Sequence, residues 1–269
     1  MTGRSRIAAA LLILSGSVPA LADDSEELAT QLANPLADLI SIPVQGNYNS
    51  GYGPVEDGRQ VLTNLQPVIP FSINEDWNLI SRTILPIVWQ DEMFPGAGSQ
   101  FGLGNTTQSL FLSPARTMHG ITWGVGPVLL LPTATDELLG LDTFGAGPTA
   151  VALWQGGGWT AGILANQIWS VSGDEADEVN ATYLQPFLAY TTADAWTFTL
   201  NTESTYNWLT DEWSVPVNAV VSKLVKIDGK LPVSFFGGVR YWADSPEGVG
   251  PEGWGARFGF TVLLPKGGR

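Results

Sequence analysis

The sequence has no cysteine, a single histidine, and no apolar run approaching the ~20 residues a membrane-spanning helix needs. Lack of cysteine removes thiol catalysis, cysteine-based metal sites and disulfides. Lack of long apolar runs excludes transmembrane helices. Positive charge is scarce too: 12 Lys and Arg stand against 26 Asp and Glu, for a net charge of −14. Nucleic acid is therefore not expected as a partner, because neutralising phosphates needs a basic patch.

What the sequence does have is alternation. Ile40, Ile42, Val44, Gly46 and Tyr48 alternate with Ser41, Gln45, Asn47 and Asn49. Trp196, Phe198, Leu200 and Thr202 alternate with Thr197, Thr199, Asn201 and Glu203, and the segment from Trp254 to Leu264 repeats the pattern. Successive side chains of a strand point to opposite faces, so one face is apolar and the other polar. About twelve strands are predicted, at 40–50, 60–71, 77–89, 101–112, 120–131, 145–154, 159–170, 182–190, 196–208, 214–224, 231–242 and 254–264. Their connections alternate short and long. Glu203 is the only acid inside a predicted strand, while the long connections are acidic, as at Asp136-Glu137, Asp174-Glu175 and Asp177-Glu178. A band kept free of charge is one that faces hydrocarbon, where a lipid-facing Lys or Arg costs ~2–4 kcal/mol at mid-depth.

The eleven tryptophans fall into two sets on this parsing. Trp77, Trp123, Trp154, Trp159 and Trp196 adjoin short turns; Trp89, Trp169, Trp208, Trp213, Trp242 and Trp254 adjoin the acidic loops. An indole settles where hydrocarbon meets headgroup, so all eleven are expected to be membrane-interface anchors. The fold expected is all-β: an antiparallel transmembrane β-barrel of about twelve strands in the outer membrane of a Gram-negative bacterium. Prolines argue against this parsing, since proline cannot donate to a ladder. Most lie near strand ends; Pro67 and Pro186 lie deeper, where a local bulge is expected.

The N-terminus reads as a secretory signal over residues 1–22. Arg4 and Arg6 form its basic region, Ile7 to Leu14 its apolar run, and Ala20-Leu21-Ala22 its cleavage site. Residues 23–38 form a periplasmic segment before a barrel spanning 39–269. Ser25 is placed to cap a short helix with Glu26 and Glu27 in its first turn. Leu28, Leu32 and Leu36 give a narrow apolar stripe. The segment reads as a frayed leader, with a periplasmic flap or plug as the functional alternative. A possible internal repeat spans Leu65-Gln66-Pro67, Trp77 and Thr83 against Leu184-Gln185-Pro186, Trp196 and Thr202.

Residues 34–43 (Asn-Pro-Leu-Ala-Asp-Leu-Ile-Ser-Ile-Pro), 65–71 leading into 77–82, Asn166 to Ser170, and Val221-Ser222-Lys223-Leu224 resemble a known family. It is the outer-membrane barrel proteins associated with the meta-pathway of phenol degradation. The resemblance covers nearly all of residues 23–269 and implies an outer-membrane barrel with a role in small-solute uptake. The last strand, with Arg257, Gly259, Val262 and Leu264, also resembles the signal read by the barrel-assembly machinery, although it lacks the usual terminal phenylalanine.

Alternation points Arg82, Arg240, Arg257, Asn64, Gln66, Asn78, Asn201, Glu203 and Asn218 into the lumen. They read either as a path selecting a small, aromatic or anionic solute, as charged rings do in pores, or as side chains that pack a narrow barrel. The corresponding functions are a passive channel or transporter, and a closed barrel whose acidic loops bind cations, lipopolysaccharide or a partner. The acid pairs fit hard cations, but their spacing matches no defined metal loop, and no metal or cofactor is expected. Other expected partners are outer-membrane lipid, lipopolysaccharide and the assembly machinery. Outer-membrane phospholipases work with a serine–histidine pair near the extracellular rim; His119 falls by a short periplasmic turn, so no catalytic residue is assigned and no enzyme is expected.

Overall fold

In a computed structural model, residues 20–174 and 177–264 are described. The apolar run of the expected signal, Glu175 of the acid clusters and the tail from Pro265 lie outside them. A helix, α1 (Ala20–Leu32), precedes fifteen strand segments. They are β1 (Ile40–Tyr52), β2 (Gly58–Leu65), β3 (Val68–Ser72), β4 (Trp77–Asp91), β5 (Ser99–Leu103), β6 (Thr106–Pro114), β7 (Ile121–Leu131) and β8 (Phe144–Gly156). Then follow β9 (Trp159–Ser172), β10 (Asn180–Thr191), β11 (Trp196–Thr202), β12 (Ser204–Asn207), β13 (Glu212–Ile227), β14 (Leu231–Asp244) and β15 (Gly253–Leu264).

β3 continues β2, β6 continues β5 and β12 continues β11, so the segments make a closed antiparallel barrel of 12 strands. Closure is by β15 on β1, from Ile40 opposite Leu264 to Tyr48 opposite Ala256. Closure leaves the barrel wall without a free edge strand, which is what a sheet in hydrocarbon requires; β5, at the long-loop end, pairs with β4 alone. The exterior is apolar and open to lipid: Phe198, Leu200, Phe235, Val239 and Phe258 are each at least half exposed.

The two deep prolines do not produce the expected bulges. Leu65 pairs with Leu85 and Val68 with Arg82, so the register passes Pro67 unchanged. Thr83 N still donates to Pro67 O at 3.1 Å, leaving one missing ladder bond. Pro186 sits opposite Ile163 in an unbroken register. The register shifts fall elsewhere, between Ser50 and Tyr52, between Phe144 and Gly145, and between Val215 and Pro216.

The N-terminal segment is not a frayed leader. Its helix already includes Ala20, the first described residue, so Ser25 lies within it rather than at its start. It ends where Pro35 forbids the helical conformation to the residue before it; Asn34 Oδ1 accepts from Leu36 N at 2.9 Å. Ala29 packs with Ala195, Leu224 and Leu263, flanked by Leu28, Leu32 and Leu39. Lys226 Nζ lies 3.4 Å from Asp24 Oδ2. Across the lumen, Gln155 donates to Thr30 O at 2.8 Å and accepts from Asn34 Nδ2 at 3.1 Å. Leu36 then enters the main apolar cluster with Ile80, Phe111, Val151, Leu153 and Leu164. The leucine stripe read from the sequence thus packs inside the barrel end that carries the short turns, with Leu36 buried and Leu28 and Leu32 partly buried.

Gly124 makes room for this insertion. A Cβ there would stand 3.1 Å from Leu36 Cδ1 and 3.2 Å from Phe111 Cβ. Gly124→Ile is expected to expel Leu36 and to cost ~1–3 kcal/mol by overpacking. Urea titration in detergent, with protease cutting at residues 33–38 as a local probe, checks this; an unchanged midpoint and no new cut would contradict it.

Candidate functional site: the barrel lumen

The lumen is layered. Near the long loops, a hydrogen-bonded ladder runs along its wall over β1, β2, β4 and β5: Tyr52 Oη donates to Gln60 Oε1 at 3.2 Å, Gln60 to Gln90 at 3.3 Å and Gln90 to Gln100 at 3.1 Å. Gln90 also donates to Leu138 O at 3.0 Å, which ties the loop after β7 to the wall. These three glutamines occupy inward positions of β2, β4 and β5, so strand alternation alone brings them together.

Below lies a charged layer. Arg257 donates to both oxygens of Glu203, Nη1 to Oε1 at 2.9 Å and Nη2 to Oε2 at 2.6 Å, the bidentate geometry a planar guanidinium favours. Arg240 Nη1 is 3.5 Å from Glu203 Oε2. Asn47 Oδ1 accepts from both cations, from Arg257 Nε at 2.8 Å and from Arg240 Nη1 at 3.1 Å. Both arginines are buried, at 6% and 3% exposure for Arg240 and Arg257. Register explains the meeting: Arg240 faces Asn218 across β13, Asn218 faces Asn201 across β11, and Arg257 faces Asn47 across β1. Asn218 Nδ2 completes this side by donating to Asn201 Oδ1 at 2.8 Å.

Arg82 stands apart. It enters from β4 and donates to Gln66 Oε1 at 3.1 Å, and it forms no ion pair among the described residues. The layer therefore holds three guanidinium groups against one carboxylate. Asn64, opposite Gln45, and Asn78, opposite Ser113, share the inward face but lie outside the Glu203 network. Asn47 and the glutamine ladder were missed as site residues, although both share the inward alternation of Gln45 and Gln66.

Beneath the charged layer is a cavity of about 280 Å³. Arg82, Arg257 and Asn201 line it above, and Leu32, Asn34 and Leu39 of the N-terminal segment below.

Outside, Trp123, Trp154, Trp159, Trp169, Trp196, Trp208, Trp213 and Trp254 are all exposed. Trp77 meets Trp123 edge-on at 6.0 Å, and Arg59 lies over Trp89. Trp242 departs from the expected belt. Its Nε1 donates to the buried Asn49 at 3.1 Å, and Arg240 stacks over its ring at 4.7 Å, so it belongs to the lumen wall. His119 occupies the turn between β6 and β7 with a left-handed φ of 54°.

No family profile matches the chain, and no curated protein matches it. Among solved structures it is similar to an outer membrane channel from Pseudomonas putida F1, at 12% identity and a TM-score of 0.66, over 84% of this chain and 96% of that one. It is also similar to the NanC porin, at 13% identity and a TM-score of 0.48, over 83% of this chain and 100% of that one. A third is outer membrane phospholipase A from Escherichia coli, at 14% identity and a TM-score of 0.47, over 88% and 98% of the two chains. The exclusion of enzymes drawn from the sequence is corrected: a barrel fold of this kind does not exclude enzymatic activity. The fold itself is that of a Gram-negative outer-membrane β-barrel.

Proposed function

We propose that the chain is an outer-membrane channel for passive passage of a small anionic or aromatic solute, narrowed from the periplasmic side by its N-terminal segment. One observation carries the reading: among the described residues, the charged layer of a closed membrane barrel holds three arginines and a single carboxylate. Fixed positive charge in a low-dielectric lumen favours anions over cations. The resemblance of residues 34–43 and 65–82 to barrel proteins associated with phenol degradation supports an aromatic solute. Likeness to the Pseudomonas putida channel supports a barrel of this shape, not a particular solute.

A second reading is a closed barrel whose acidic loops bind cations, lipopolysaccharide or a partner. It is favoured by the engagement of Arg240, Arg257, Glu203 and Asn47 in one buried network.

Liposome swelling separates the two. The full chain is expected to admit small solutes slowly, and a chain lacking residues 24–38 to admit them several-fold faster, because Leu36 and the helix no longer fill the lumen. No swelling from either chain would contradict the channel and favour the closed barrel.

A further inference from the structure

We propose that the cavity below the charged layer is a binding station for a small monocarboxylate with an apolar body, anchored on Arg82. This rests on the channel reading and names the solute class that the lumen would hold in transit.

Three observations converge on it. Arg82 lines the cavity, and the one hydrogen bond of its guanidinium among the described residues goes to a neutral amide, Gln66 Oε1, at 3.1 Å. A guanidinium has five N–H donors in a planar fork, so most of its donor capacity is unused, and among the described residues no carboxylate lies in contact with it. Arg257 differs: Nε, Nη1 and Nη2 are all engaged, on Asn47 and Glu203. A single anion of planar, two-oxygen geometry is the group that completes Arg82 without disturbing its neighbour.

The rest of the wall asks for something else. Val68, Leu164, Phe187 and Phe236, with Leu32 and Leu39 from the N-terminal segment, present hydrocarbon to the same space. A bare inorganic anion would leave those surfaces facing water; an apolar body attached to the carboxylate covers them. The volume, about 280 Å³, lies just under the ~300 Å³ at which pockets for drug-sized ligands begin. It therefore sets a size limit near a single ring or a short chain. Because the N-terminal residues form part of the wall, an occupant also touches the segment that narrows the barrel.

The full chain, reconstituted in nanodiscs, is titrated calorimetrically with cyclohexanecarboxylate, acetate and the uncharged cyclohexanecarboxamide. Saturable binding of one cyclohexanecarboxylate per chain is expected. Acetate, which lacks the body, and the amide, which lacks the charge, should each bind at least about tenfold more weakly. Arg82→Gln should lose about tenfold for cyclohexanecarboxylate, with Arg82→Lys in between because it keeps the charge but not the fork. Equal binding of acid and amide, or wild-type affinity in Arg82→Gln, overturns the site. The ligand comparison uses only the natural chain, so it decides the matter even where Arg82→Gln fails to refold. Chloride conductance of the same preparation separates the two claims. Conductance without selective binding removes the carboxylate station and spares the channel; selective binding without conductance spares the station and removes the channel.

Discussion

Replacing Glu203 with alanine is expected to destabilise the barrel by about 3–5 kcal/mol, the range found when one partner of a buried ion pair is removed. Glu203 receives both Nη groups of Arg257 and lies within ion-pair distance of Arg240. Its loss leaves two buried guanidinium groups sharing only the Oδ1 of Asn47. Removing Arg257 as well should restore part of the stability, because the cost lies in the uncompensated charge rather than in the missing contact. Urea titration of Glu203→Ala, Arg257→Met and the double variant in detergent micelles measures the coupling. A loss below about 1 kcal/mol for Glu203→Ala would mean the arginines are hydrated, as in an exposed pair.

The second large effect lies one residue pair away and depends only on which face a side chain takes. Leu200 is 52% exposed on the outer wall, and Asn201 accepts from Asn218 inside. Leu200→Arg should cost ~2–4 kcal/mol, since a guanidinium facing hydrocarbon must snorkel or thin the bilayer. Asn201→Arg should cost much less, because it enters a polar layer containing Glu203. Titration of both variants in lipid vesicles compares them directly. Greater damage from Asn201→Arg would invert the assignment of faces for this strand, because one residue of slippage moves every side chain to the other face.

Much of the barrel was legible because lipid imposes a period of two on every strand. The stretch beginning at Trp196 reads apolar and polar in strict turn, and β11 starts there. The inward set that meets at Glu203 follows from the same count, and Glu203 stands out as the only acid predicted within a strand. Trp242 shows where a position rule misleads. It adjoins a long loop like its fellows, yet it stands two residues after the inward Arg240, and alternation would have placed it inside. Pro67 was read as a bulge because a missing donor was assumed to shift the register; the ladder omits the bond instead.

The N-terminal segment was the least legible part. Its leucine stripe announces a helix that buries one face, but the partners of that face, Ala195, Leu224 and Leu263, are remote in sequence. Nothing local distinguishes a stripe that docks inside a barrel from one that frays. The same holds for Asn47: alternation turns it inward, but only the register of β15 on β1 sets it opposite Arg257. The cavity also escaped the sequence, because its floor is the N-terminal segment and its roof is Arg82, residues joined only by the closed fold.

The most direct test of an arginine-bearing channel is the reversal potential of single channels in planar bilayers under a potassium chloride gradient. Discrete openings with chloride carrying more current than potassium are predicted, and the preference should weaken when Arg82 is replaced by glutamine. A preference for potassium, or no openings from either the full chain or the chain lacking residues 24–38, would contradict it.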